Sequence, residues 1–171
     1  IMAPRTGRVI NNVATVTPVS VIKQVEFRVY GEGLYNLRSV RAAVEGMAEG
    51  CLFSTGKATE NIVAHTMENW RVETLENDPA SGDITTTLLT FGIPEGHNGA
   101  PEANKFSMSL LLVDNKTVLN YEYHIGDILA QFKDMDGLDG QIQKVVVRLE
   151  LPERLPDVQP VGGSGGGFDA D

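Results

Sequence analysis

The chain has 171 residues, 42% of them hydrophobic, with 14 basic and 23 acidic residues and a formal net charge of −9. That length suits one domain or a small pair, and the apolar share suffices for a buried core, which excludes a large multidomain enzyme and a wholly disordered chain. Basic residues such as Arg5, Arg8, Lys23, Arg28, Arg38 and Arg41 are scattered singly. Neither nucleic acid nor an anionic membrane surface is therefore an expected partner.

Residues Val9 to Ile22 are apolar and β-branched but contain Pro18, which lacks the N–H that a central ladder needs. The segment reads as an edge or bulged strand broken at Pro18. From Gln24 to Tyr30, Val25, Phe27 and Val29 alternate with Glu26, Arg28 and Tyr30, the rhythm of a strand with one buried face. Val40 to Glu45 and Trp70 to Glu73 follow the same rhythm, and the threonine-rich Ile84 to Phe91 favours a pleated surface.

Phe106 to Ile125 carries the clearest supersecondary signal, two alternating runs flanking Asp114-Asn115-Lys116. It predicts a β-hairpin in which Asn115, in the absence of glycine, takes the left-handed position. Past Gly126, Asp127 is a potential cap for a short helix with Ile128, Leu129 and Phe132 on one side. Lys144 to Leu151 returns to alternation with Val145, Val147 and Leu149 inward, and Pro152 stops it. Pro94 to Pro101 reads as a loop; the tail holds five of the 18 glycines between Gly162 and Gly167 and is expected to be flexible on composition.

Seven or eight short strands with one short helix predict an all-β fold, an antiparallel β-sandwich spanning 1–154, followed by a Pro/Gly-rich tail at 155–171. An α/β fold would need amphipathic helices, and only Asn36 to Ala48 and Gly126 to Lys133 offer candidates.

Each candidate for chemistry has a plainer structural reading. His65, His97 and His124 are too far apart for a local metal motif, and His97 is expected to be exposed in its loop. Cys51, the one cysteine, is expected to be a buried inert thiol. Asp134 to Gly140 is acidic enough to suggest a calcium loop, yet Leu138 occupies a ligand position and no Glu closes it. Asn115-Lys116-Thr117 matches a glycosylation sequon and reads as turn chemistry. Asp78 and Asp83 read as lying in a Pro/Gly turn open to water, and Glu122 with His124 as a solvated pair on one strand face. No nucleophile elbow or phosphate loop occurs, so no catalytic, cofactor-binding or metal residue is assigned, and neither an enzyme nor a cofactor is expected.

Three segments carry a family likeness. Val40-Arg41-Ala42-Ala43-Val44-Glu45-Gly46-Met47-Ala48 resembles a strand and turn of fimbrillin-like and fimbrial-anchor surface lipoproteins of Bacteroides-type bacteria. Leu88 to Pro94 is similar to their strand-ending T-F-G, Ser107 to Ile125 to their hairpin, and Gly165 to Asp171 to their glycine-rich acidic tails. The chain departs from the pattern at Asn115, where a turn Gly is common, and at His124-Ile125-Gly126-Asp127.

The resemblance covers residues 24–171 and implies a transthyretin-like or immunoglobulin-like, Greek-key sandwich on the bacterial outer-membrane surface. There it would act without catalysis in pilus anchoring, assembly or adhesion, with other fimbrial subunits or surface proteins as partners. Those partners would be joined by strand donation from Val9 to Ile22 or from Leu155 onward. The membrane would be reached only through a lipid anchor upstream of Ile1, a start that reads as a trimmed chain or fragment. The alternatives are a carbohydrate- or protein-binding sandwich module, which for sugars would need exposed rings from Trp70 or the tyrosines, and a hydrolase.

Overall fold

A computed structural model describes residues 2–10, 13–135 and 142–161. Its strands are β1 (Met2–Ile10), β2 (Val13–Ser20), β3 (Lys23–Glu32), β4 (Leu37–Ala48), β5 (Ile62–Met67), β6 (Arg71–Leu75), β7 (Asp78–Thr90), β8 (Lys105–Leu112), β9 (Val118–His124) and β10 (Lys144–Glu150). Among the described residues a single short α-helix, α1 (Gly126–Leu129), runs into a 3₁₀ segment at Ala130–Met135. The strands form one four-stranded sheet in the order β10-β3-β7-β6, another in the order β5-β4-β8-β9, and a separate two-stranded ribbon of β1 and β2.

The expected all-β sandwich is therefore present. Val25, Phe27 and Val29 point inward from β3, as do Val145 and Val147 from β10 and Ile84 and Leu88 from β7. Opposite them lie Val40, Ala42 and Val44 of β4 with Phe106, Met108 and Leu110 of β8. At the centre Phe27 stacks on Phe106 with centroids 4.8 Å apart, and the Trp70 ring tilts against both at 6.3 and 6.1 Å. Burying side chains of this size contributes about 1.5–3 kcal/mol each. The Trp70 indole N–H donates to the Met67 carbonyl at 3.0 Å, so its one polar atom is satisfied.

Several expectations need correction. The N-terminal strand does not break at Pro18. Pro18 lies within β2 opposite Pro4, and β1 and β2 pair as two antiparallel strands in place of one. β5 was not expected at all. β7 begins at Asp78, so Asp78 and Asp83 stand in a strand and not in a turn; Gly82 allows this, because a Cβ there would come within 2.2 Å of the Glu73 carbonyl. Asp127 sits inside the first turn of α1, while the cap position is Ile125 with no side-chain bond.

One ladder departs from an antiparallel sandwich: β10 pairs with β3 in parallel, from Lys144 opposite Gln24 to Glu150 opposite Tyr30. Alternation alone fixes which side chains face inward and is blind to the neighbour's direction.

The hairpin forms as read. Asn115 has φ 57°, the one non-glycine residue with positive φ among the described residues. Asp114 closes the turn by accepting from the backbone N–H of Lys116 and Thr117 and from the Thr117 hydroxyl. Those three donors hold the Asp114 carboxyl below the usual carboxylate range, the Thr117 hydroxyl contributing most.

Beyond β10 the chain continues as an extended strap. Leu151 N–H donates to Tyr30 O, Leu155 N–H to Glu32 O, and Val161 N–H to Val113 O at the tip of β8. Leu155, at the start of the expected tail, is 1% exposed and belongs to the core.

Candidate functional site

Asn36, 1% exposed, clamps the strap. Its amide donates to Gly33 O and to the Asp157 carboxylate, while its side-chain oxygen accepts the Val158 N–H at 3.1 Å. Tyr35 donates its hydroxyl hydrogen to the same Asp157 oxygen, and Arg154 donates to the Tyr35 hydroxyl oxygen while lying over the ring. The Tyr35 bond, ahead of the Asn36 bond, depresses the Asp157 pKa. Across the open side of the sandwich the Tyr123 hydroxyl donates to Glu150 O, tying β9 to β10. Burial pushes the pKa values of Tyr121 and Tyr123 up, with Glu153 adding to the first and Tyr121 to the second.

The three histidines occupy different settings. His65 is half-buried on β5 with an unpartnered Nε2, and His124 is exposed at the end of β9. His97, expected on the surface, is buried at 6% exposure. Its Nδ1 accepts the Gly99 N–H at 3.0 Å, which leaves the proton on Nε2 to donate to Asn104 Oδ1 at 2.6 Å. Asn104, itself fully buried, passes the network on by donating to Glu45 O at 2.9 Å, and its own carbonyl accepts from Ile125 N–H. Lys133 Nζ donates to His97 O. Gly46, with φ 82°, leaves room for the approach of Ala103 and Asn104 to β4, since a Cβ there would meet Ala103 O at 2.2 Å. The loop from Gly92 to Asn104 is thus fastened to β4 through polar groups that have partners.

Cys51 is half-exposed, against the expectation of burial. It opens a small hairpin, pairing with Ala58, whose turn exposes Leu52 and Phe53 at 52% and 59%. On the outer face of the β3 sheet, Arg28 donates to Glu73 at 2.6 Å and to Asp83 at 3.1 Å, and the Glu73 bond, followed by the Asp83 bond against some desolvation, raises its pKa. Asp83 therefore serves an ion pair. Glu122 lies on the outer face of β9 within 3.7 Å of Lys105 Nζ.

Among the described residues no group of three or more His, Cys, Asp or Glu is placed to hold a metal ion. Of the acidic stretch considered for calcium, Asp136 to Gly140 lies outside the described residues. A shallow cleft of about 310 Å³ is lined by Asn69, Trp70, Arg71, Thr86 and Thr87. It gathers no carboxylate, imidazole or thiol, and Trp70 is fully buried, so its ring offers no face for a sugar. No helix among the described residues is long and apolar enough to cross a membrane.

Among the described residues β5, β6, β9 and β10 are sheet edges, and the β1–β2 ribbon joins neither sheet. Such edges carry unpaired N–H and C=O groups that can template another strand.

No protein-family model matches the chain, and no curated protein matches it. Among solved structures, one from Bacteroides ovatus described as a candidate adhesin aligns at 12% identity over 84% of this chain, with a TM-score of 0.42. This chain spans about half of that protein, 51% of its length, and a likeness at this level assigns neither family nor function.

Proposed function

We propose that this chain is a non-enzymatic structural or adhesive domain of a bacterial cell surface, which associates with neighbouring subunits by strand addition. The observation that carries the reading is the β1–β2 ribbon, a ladder from Met2 opposite Ser20 to Ile10 opposite Val13 that pairs with no third strand among the described residues. A two-stranded ribbon alone is marginal in water, so its free edges gain most from a partner sheet. The finer reading, a fimbrillin-like protein outside the cytoplasm at the outer membrane, anchored through a lipid upstream, rests on the residue resemblance at Val40–Ala48, Leu88–Pro94 and Ser107–Ile125.

Of the two donor segments considered, the ribbon is favoured, because Leu155 of the other is engaged in its own core. The test is sedimentation of the intact chain beside one lacking residues 2–20. Concentration-dependent association of the intact chain, lost in the shortened chain at unchanged melting temperature, is expected; equal association of both would remove the ribbon from the account.

A further inference from the structure

The first and last strands of the sandwich, β3 and β10, are neighbours. Seven residue pairs join them in parallel without a register break. Because they are parallel, the chain enters β3 at one end of the sandwich and leaves β10 at the other. A pull between Ser20 and Val161 therefore acts along the strand axis, and the evenly spaced bonds of the ladder must slide together. A pull between Arg41 and Asn120 acts differently. Both pair with Ser109, so they lie in one row across β4, β8 and β9, and force between them opens ladders one bond at a time.

Three features resist sliding. Gln24 N–H donates to Gln143 O and Leu151 N–H to Tyr30 O, which extends the ladder past both of its ends. Val145, Val147, Phe27 and Val29 are locked in the core, so a slip of one residue would carry apolar side chains outward. Lys144 Nζ lies 3.6 Å from Glu26 across the ladder, and the strap adds its anchors at Glu32, Asn36 and Val113.

We propose that β3 and β10 form a shear clamp that holds the sandwich together under tension between its two ends, whatever the domain binds. The β1–β2 ribbon has the opposite property. Its ends, Met2 and Ser20, are paired, so tension entering through Met2 unzips it and releases length at low force.

Single-molecule pulling tests the clamp. In a Cys51→Ser background, handles are attached through Ser20→Cys with Val161→Cys, and in a second protein through Arg41→Cys with Asn120→Cys. Matching melting temperatures establish that both are folded. At one loading rate, the first pair is expected to need at least about twofold the force of the second and to fail in one step of roughly 450 Å, the reach of the freed chain. Equal or lower force would overturn the proposal. So would a small first step of roughly 60 Å, which would mean that β10 and its strap peel away before the rest.

Discussion

The loop from Gly92 to Asn104, which joins β7 to β8, and the hairpin from Cys51 to Ala58, which follows β4, lie at the same end of β4 and are linked by the Lys57–Glu95 ion pair at 2.8 Å. Both are short, polar and punctuated by glycine, yet one carries a buried histidine and the other two exposed apolar side chains. The difference lies in partners for polar groups. His97 can be buried because Gly99 and Asn104 meet both ring nitrogens. In the hairpin, Leu52 exchanges backbone bonds with Lys57 and Gly56, which satisfies the main chain but gives its side chains nothing to pack against. Burial follows polar satisfaction here more closely than it follows hydrophobicity.

The largest effect should come from breaking the buried network. Asn104→Ala strands the His97 Nε2–H and the Glu45 carbonyl, and is expected to cost about 2–4 kcal/mol in urea unfolding, because an unpaired buried polar group loses its hydration without return. A turn satisfied within itself should respond less. Asn115→Ala removes the side chain that tolerates the left-handed conformation and is expected to cost about 1–2 kcal/mol by thermal melting.

A pH effect separates exposed carboxylates with partners from those without. Asp114 and Asp157 have depressed pKa values in the folded chain, so their stabilisation is complete above the ordinary carboxylate value near 4. It declines as the unfolded state takes up protons more readily, and is gone once pH has fallen through the lower native values. Asp157→Asn with Asp114→Asn should therefore flatten the acid limb of melting temperature against pH below about 4.5 relative to the parent chain. Smallest of all, Leu52→Ser with Phe53→Ser should change stability by less than about 0.5 kcal/mol, since neither side chain is in the core. A larger loss would mean that the hairpin packs where it is read as exposed.

Much of the fold was legible in the sequence because it rests on local rhythm. Val25, Phe27 and Val29 announced their strand, as did Val145 and Val147, and Asn115 announced its turn. β5 was hidden because Ile62-Val63-Ala64 shows no alternation; as an edge strand it leaves all three exposed. The parallel pairing of β10, the inward turn of His97 and the pairing of Asp83 with Arg28 depend on residues between 7 and 120 positions away. The last and the first lie beyond any window of local sequence, and the His97 contact, though near in the chain, leaves no periodic signal. Cys51 was misplaced for the related reason that burial of a thiol is decided by what covers it.

The surfaces were the least legible part, because free edges are defined by topology. Hydrogen–deuterium exchange, followed as protein concentration rises, examines them directly. Backbone amides of residues 2–20 should gain protection on association while those of Lys144–Glu150 and of the Leu52–Lys57 turn stay as they are. Protection arising at Leu52 and Phe53, or along β5 with the ribbon unchanged, would show that the molecule assembles through a different surface and would contradict strand addition by the ribbon.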